Sequence, residues 1–263
     1  MMDEELRNRL ETLMVTLLEA VSLPGVKSWA MEITLAYALA RDPTANKRDV
    51  WKTIQEIYEE HIRDSFPDQE DPGQSFRRAS GDAFEGYVAA YLNSNDVLKK
   101  EGVRVLRLVG QDFHKLMSRL GIDDLKPKDV DMFLQGISQE GQVVVFGAIF
   151  PKASYAERIR ADEYASRSLM ARGLWSGTVT MDARGELGTE EKPSVKRDKI
   201  NSGAFHGCYS FNGDTAPGPR IHTIDCMVRT MRNPLIRDIV RAWRTYQEEG
   251  AIDSPQPLAK RRG

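Results

Sequence analysis

The sequence predicts an α/β fold in which a mixed central β-sheet is flanked by helices and preceded by a helical N-terminal subdomain. Three observations carry this prediction. Apolar side chains recur every three or four residues over 5–63, the period of helices with one buried face. Segments 103–110 and 129–136 resemble strands, and segment 143–150 is continuously apolar, as expected for a strand covered on both faces. Helical patterns return after these strands, which places helices against the sheet.

The composition bounds the class of protein. The 263 residues are 41% apolar and 29% charged, a balance that supports one buried core and excludes global disorder. The net charge of −2 lacks the overall basic character of proteins that coat nucleic acid, so any such surface must be local. Two cysteines, Cys208 and Cys226, allow neither a disulfide framework nor a zinc site. The acidic N-terminus and the lack of a long apolar run predict a protein of the cell interior without a membrane segment.

Three helices are expected in the N-terminal region. The first ends at Pro24-Gly25, the second covers 27–41, and the third covers 47–63. The side chains expected to face the core are Leu6, Leu10, Leu13, Leu17 and Val21 of the first helix, Trp29, Ile33 and Tyr37 of the second, and Val50, Ile54, Ile57 and His61 of the third.

Segment 66–75 holds two prolines, a glycine and three acids, which indicates an exposed connector. It divides the chain into a helical N-terminal subdomain at 1–72, an α/β core at 73–250 and a mobile tail at 251–263.

The core is predicted to begin with a helix from Ser75 to about Asn93, followed by strand 103–110 and a short helix at 111–120. A turn at 138–141 then joins strands 129–136 and 143–150 into a buried hairpin. The buried side of the first of these helices is expected to consist of Phe76, Phe84, Tyr87, Val88, Tyr91 and Leu92.

The second half of the core is less regular. A helix is expected from an N-cap at Ser154 to Gly173, and weaker strands at 177–182 and 220–227. The polar segment 184–219 between those strands suggests a long surface excursion. Asn233-Pro234 is typical of a helix start, and the apolar positions after it are Ile236, Ile239, Val240, Trp243 and Tyr246.

Residues 126–158 contain the side chains that indicate a chemical function most clearly. Strand alternation is expected to place Asp129 and Asp131 on one face, and the hairpin returns Lys152 towards them. Hydrolysis of a phosphodiester requires a hard divalent cation held by carboxylates, an activated water, and positive charge near the phosphorus oxygens. Acids and a lysine at one end of a sheet supply those parts.

With these residues, the chain resembles the type II restriction endonucleases of the PD-(D/E)xK superfamily. The resemblance covers roughly residues 80–182. The resemblance implies a restriction-endonuclease-like core and a catalytic set formed by Glu85 on an early helix, Asp131 or Asp129 opening the hairpin, and Lys152 closing it. It further implies Mg²⁺ as cofactor, cleavage that leaves a 5′-phosphate, and a place in the cytoplasm of a prokaryotic cell.

The chain departs from the family pattern at one catalytic position. Phe150 stands two residues before Lys152, where an acid is usual. In the subgroup that cuts CCGG or CCNGG sites, an acid of the following helix replaces it, for which Glu163 and Asp162 are the candidates. Pro151 is also unusual, since a proline removes a ladder donor and normally marks a strand edge or a bulge.

The same resemblance predicts the DNA contacts. Residues four to seven positions after the catalytic lysine read bases in that family, and here they include Glu157 and Arg158. Arginine pairs with guanine O6 and N7 and glutamate accepts from cytosine N4, so this pair is suited to a G·C base pair. Ser154 and Arg160 are also expected to contact DNA. Apart from the resemblance, Lys196, Arg197 and Lys199 of the polar segment could contact phosphates. A palindromic site implies a homodimer or a tetramer.

Ordinary explanations exist for each of these residues. Asp129 and Asp131 could be a solvated strand entry, and Ser154 with Glu157 fits a capping box. Arg158 and Arg160 could form surface pairs with acids of the same helix, and Glu85 could face solvent. Two other functions therefore stay open at this point: a nuclease that recognises branched DNA, and a non-enzymatic interaction protein. Cutting of linear DNA into discrete fragments, and binding of a divalent cation, separate the three.

Overall fold

The computed structural model describes residues 3–20, 25–43, 45–65, 71–122, 124–138, 140–154 and 159–256, with backbone only for 63–65 and 159–160. These residues form nine α-helices and a six-stranded mixed sheet. The helices are α1 Glu4–Ala20, α2 Val26–Arg41, α3 Lys47–Ser65, α4 Pro72–Asn93, α5 Asp96–Lys100, α6 Gly110–Leu120, α7 Ile159–Met170, α8 Val195–Lys199 and α9 Pro234–Glu249. The strands are β1 Arg104–Leu106, β2 Met132–Ile137, β3 Val143–Lys152, β4 Trp175–Thr180, β5 Gly207–Ser210 and β6 Ile221–Thr223.

The strands lie in sequence order across the sheet. β1, β2 and β3 are antiparallel neighbours, whereas β3, β4, β5 and β6 run parallel. The mixed sheet predicted from the sequence is confirmed, and β3 stands where the antiparallel half meets the parallel half. Pro151 is tolerated in this inner strand because the last pair between β2 and β3 is Met132 with Ile149, so no β2 residue opposes the proline.

Two apolar clusters cover the two faces of the sheet. One cluster joins side chains of α1–α4 and α9 to one face, and the other joins α6 and α7 to the opposite face. All six apolar residues expected on the buried side of α4 are buried. Since the N-terminal helices share a core with the sheet, the division of the chain at residue 72 stays a prediction.

The predicted inward face of α2 is wrong. Trp29 is 44% exposed, and Ile33 and Tyr37 are only half-buried. The helix instead buries Val26, Ala30, Met31, Thr34, Leu35, Ala38 and Leu39. The physical reason is that α2 packs against α1, α3 and α4 together, and alanines on the buried side let these helices approach closely. In α3, Val50, Ile54 and Ile57 are buried as predicted, but His61 is half-buried and contacts Glu11.

Several boundaries differ from the predicted ones. α4 begins at Pro72 rather than Ser75, because the carboxylate of Asp71 accepts from the backbone N–H of Gln74 at 3.0 Å and caps the helix. β1 is only three residues long, and Asp129 lies in a 3₁₀ turn at Pro127–Asp129 rather than in a strand. Residues 66–70 of the expected connector lie outside the described residues.

Segment 184–219 is not the surface excursion that its polarity suggested. It contains α8 and the buried strand β5, whose Cys208 and Tyr209 are core residues. Residues 251–256, expected to be mobile, pack on the core: Ile252 N–H donates to the Gly173 carbonyl at 2.8 Å. In the part of the chain that the structure describes, no helix is long and apolar enough to cross a bilayer.

His206 connects this last segment to the sheet and predicts a pH dependence of stability. Its Nδ1 accepts from Ser176 N–H at 3.0 Å and its Nε2 donates to the Asp253 carbonyl at 3.0 Å. Burial lowers the pKa of His206 below its ordinary 6.5. The unfolded chain thus takes up a proton near pH 6.5 that the folded protein does not, and the free energy of unfolding should fall as the pH falls through this value.

Urea denaturation at about pH 7.5 and about pH 5.5 measures this effect. We expect a smaller difference between the two free energies in His206→Ala than in the wild type, while His114→Ala, at an exposed position of α6, keeps the wild-type difference. A full wild-type pH dependence in His206→Ala would contradict the assignment.

Candidate active site

Lys152 lies between two carboxylates at the carboxyl end of β3. Its Nζ donates to Asp131 Oδ2 at 2.7 Å and lies 3.4 Å from Asp162 Oδ1. The side chains of Lys152, Asp131 and Asp162 are 13%, 12% and 9% exposed. Because the group carries two negative charges and one positive charge in a place with little water, its electrostatic interactions are much less screened than those of surface pairs.

The local fold explains this convergence. Asp131 directly precedes β2, and β3 returns antiparallel to β2, which brings the end of β3 beside Asp131. Asp162 stands in the first turn of α7, the helix that packs on β3 and β4. Asp131 and Lys152 are thus in contact, as the hairpin predicted from the sequence requires.

Asp129 does not join this group in the way alternation predicted. It ends the 3₁₀ turn, and its Oδ2 accepts from the backbone N–H of Lys126 at 2.8 Å. The carboxylate therefore closes its own turn. The sequence did not decide which of the two aspartates accompanies Lys152. In the structure, Asp131 is the one that contacts the lysine.

Of the two candidate acids on α7, the structure brings Asp162 and not Glu163 to the lysine. Glu163 pairs with Lys199 and with Arg167, the latter at 3.1 Å. Burial alone would raise the pKa of Glu163, but hydrogen bonds from Lys199 and Arg167 outweigh it and hold the pKa below its usual range. Glu163 thus belongs to a neighbouring ion-pair network.

Glu85 lies on α4 and forms an ion pair with Arg107. It is largely buried, which excludes the alternative explanation that it simply faces solvent. Its role in the catalytic set stays a prediction.

The residues expected to contact DNA fall into four groups, the last of which is the buried Arg197. Glu157 and Arg158, as well as the side chain of Arg160, lie outside the described residues. Ser154 and Lys196 both bind Glu186, through Oγ at 2.9 Å and Nζ at 3.1 Å. Lys199 pairs with Glu163. Sequence reasoning missed Glu186 because it stands in a polar segment without a periodic pattern.

Arg197 is placed in the interior, which contradicts its predicted contact with a phosphate. It is 1% exposed, and its guanidinium donates to the carbonyls of Gly188 at 3.2 Å and Ala216 at 3.0 Å, as well as to that of Pro217. A buried guanidinium satisfied by carbonyls holds loops together and is not available to DNA.

Replacement of Arg197 by methionine should therefore act on stability. The side chain keeps much of its volume, but three carbonyls lose a charged donor, and we expect the free energy of unfolding to fall by about 3 kcal/mol. Thermal and urea denaturation measure this loss. Lys192→Met, at an exposed position of the loop that precedes α8, should change stability by less than about 0.5 kcal/mol. An equally stable Arg197→Met protein would contradict the structural role.

The donor set at Lys152 fits a hard divalent cation. Mg²⁺ in phosphate-processing sites is commonly held by one or two carboxylates while water and substrate phosphates complete its shell, and Asp131 and Asp162 provide two carboxylates at one point. Among the described residues, one cluster brings three possible metal-ligand atoms within 4.8 Å of one another. Its members are Glu11, Glu60 and His61. That group lies on α1 and α3 and not on the elements that carry Lys152.

A mixed sheet that ends in a lysine between two aspartates is a nuclease-like arrangement, and comparison with known proteins identifies the class. The chain belongs to the type II restriction enzymes, which are site-specific deoxyribonucleases. The relative that shows this is type II restriction enzyme AgeI of Thalassovita gelatinovora, 35% identical over 218 residues that cover 75% of this chain and 76% of AgeI.

The solved structure of AgeI agrees with this assignment. The crystal structure of a specific complex of restriction endonuclease AgeI with DNA matches with a TM-score of 0.77 and 28% identity, over 91% of this chain and 92% of that one. A pre-specific complex of restriction endonuclease BsaWI with DNA gives a TM-score of 0.49 and 18% identity over 99% and 100% of the two chains. No model of a protein family matches the chain. Membership of the restriction enzymes argues against both a non-enzymatic interaction protein and a nuclease specific for branched DNA.

Proposed function

We propose that this restriction enzyme cuts double-stranded DNA in a Mg²⁺-dependent reaction at a short palindrome with a CCGG-like centre. The observation that carries the proposal is the contact of Lys152 with both Asp131 and Asp162 at the end of β3. Two carboxylates and an ammonium group are what the hydrolysis of a phosphodiester requires from a protein.

The roles of the residues follow from their charges and positions. Asp131 and Asp162 would hold the metal ion, which when bound supplies an activated water and offsets charge on the phosphate. The ammonium group of Lys152 orients the attacking water by hydrogen bonding and stabilises the negative charge that builds on the phosphorus oxygens. The low exposure of all three side chains strengthens these interactions, because bulk water screens them little. Glu85 remains a proposed further acid of the set.

The proposed recognition of DNA has two parts: contacts of side chains with bases, and a two-fold axis that relates two copies of the chain. Glu157 and Arg158 follow Lys152 within six residues and offer the acceptor and donor that a G·C pair requires in the major groove. A palindrome presents the same half-site twice, so two copies of the chain related by a two-fold axis are needed to read and cut both strands. We therefore propose a homodimer on DNA, with a tetramer as the alternative assembly.

Digestion of plasmid DNA tests the proposal. With Mg²⁺ present, the purified protein should produce discrete fragments, and sequencing of their ends should show one palindrome with a CCGG-like centre. With EDTA, cleavage should stop. A smear of products, cutting in EDTA, or ends without a common sequence would each contradict the proposal. Sedimentation of the protein with the site-bearing duplex reports whether two or four copies bind.

A further inference from the structure

The carboxylate of Glu186 connects the segment that follows Lys152 to a neighbouring turn. Its Oε2 accepts from Ser154 Oγ at 2.9 Å, and its Oε1 accepts from Lys196 Nζ at 3.1 Å. Ser154 stands two residues after Lys152, at the start of the segment that leads to Glu157 and Arg158. The carboxylate is 14% exposed, so both contacts form in a place with little water.

The turn that presents Glu186 begins beside the active site. Lys152 pairs with Thr180 in the parallel register of β3 and β4, and Asp182 follows two residues later. Asp182 has a φ of +42°, the one positive value among non-glycine residues in the described part of the chain. Such a conformation costs free energy and persists only where the surroundings enforce it.

Hydrogen bonds to Asp182 supply that enforcement. Its Oδ2 accepts from Thr215 Oγ1 at 2.7 Å and its Oδ1 from Leu187 N–H at 3.3 Å, while its carbonyl accepts from Asn212 Nδ2 at 3.0 Å. The carboxylate is buried and is satisfied from both sides. It therefore fixes the start of the turn to the core.

Two arginines fix the rest of the turn. Arg48 of α3 donates from Nε to the Ala183 carbonyl at 3.1 Å, and Arg197 donates to the Gly188 carbonyl at 3.2 Å. Ser194 Oγ also donates to the Leu187 carbonyl, at 3.1 Å. Glu186 thus extends from a turn that is held along its length, and it does not adjust freely to Ser154.

We propose that Glu186 is a positioning residue for recognition of DNA: by accepting from Ser154 it fixes the chain two residues after Lys152, at the point from which the sequence runs on to Glu157 and Arg158. Lys196 completes the arrangement by offsetting a negative charge that would otherwise repel a nearby phosphate. This inference rests on the proposed function, since it concerns the segment that we expect to read bases. A fixed Ser154 loses less conformational freedom when DNA binds, and this favours the correct site.

A double-mutant cycle on cleavage tests this role. The substrates are one duplex with the site found by end sequencing and three duplexes that each carry a single base-pair change. For Glu186→Ala and for Ser154→Ala we expect the rate on the correct site to fall roughly tenfold, and the preference over the changed sites to fall as well. The double variant should be no slower than the slower single variant, because both changes remove the same contact.

Two further variants separate positioning from a general loss of structure. Glu186→Gln keeps a carbonyl oxygen that accepts from Ser154, so it should restore most of the preference. Glu190→Ala removes an exposed carboxylate from the same loop and should leave rate and preference unchanged. Thermal unfolding of each variant, and in particular of Ser154→Ala, which leaves the turn intact, shows whether the fold is retained.

The outcomes distinguish this inference from the proposed function. Additive losses in the double variant, or wild-type rate and preference in both single variants while Lys152→Ala is inactive, would overturn the positioning role and leave the nuclease site standing. Absence of site-specific cleavage by the wild type would overturn the proposed function itself.

Discussion

Replacing Lys152 with alanine should lower the rate of DNA cleavage by about 10²- to 10³-fold while DNA binding persists. The ammonium group lies 2.7 Å from Asp131 and 3.4 Å from Asp162, and no other basic residue in the described part of the chain is shown in contact with both acids. The variant lacks the positive charge that we propose stabilises the negative charge developing on the phosphorus oxygens. Single-turnover cleavage and gel-shift binding in Ca²⁺ measure the two effects separately.

The control for this prediction is Lys115→Ala, which removes an exposed lysine from α6. It should cut at the wild-type rate. If Lys152→Ala also cuts within a few-fold of the wild type, or if it loses binding and cleavage in parallel with its fold, the catalytic role of the lysine is wrong.

Replacing Asp162 with asparagine should lower the cleavage rate by about 10²-fold or more, whereas Glu163→Gln should lower it by less than about threefold. The two acids are adjacent in sequence, but only Asp162 reaches Lys152, while Glu163 pairs with Lys199 and Arg167. An amide has the shape of the acid but binds a divalent cation poorly. Cleavage rates over a series of Mg²⁺ concentrations measure the loss.

The pair of variants serves as its own matched control, since each removes one carboxylate from the first turn and a half of α7. A raised Mg²⁺ requirement in Asp162→Asn would support its part in holding the metal ion. The reverse ranking, with Glu163→Gln the inactive protein, would show that the acid of this helix had been misassigned. Thermal unfolding of both proteins confirms that the comparison concerns folded enzymes.

The fold was predictable where local patterns were strong. Three elements are visible in the sequence: the apolar buried face of α4, the β2–β3 hairpin, and the start of α9 at Asn233-Pro234. Each depends on residues that are neighbours along the chain. The buried face of α2 was not predictable, because three other helices determine which side fits. β5 was missed since four residues between glycine-rich turns are too few to show alternation.

The site was predictable only in part for a similar reason. A hairpin places Asp131 and Lys152 together by local geometry, so the sequence sufficed for that pair. The choice between Asp162 and Glu163 depends on the rotation of α7 about its axis against the sheet, which the local sequence pattern does not give. Glu186 reaches Ser154 across 32 positions of the chain, and no motif marks that contact.

The most direct test of the central claim is the anomalous diffraction of Mn²⁺ in crystals of the protein bound to its DNA site. We expect a manganese ion bound by carboxylate oxygens of both Asp131 and Asp162, with Lys152 beside the phosphate to be cleaved. A manganese ion on the DNA that is bound by other residues, with Asp131 and Asp162 in contact with Lys152 and not with the metal ion, would contradict this expectation.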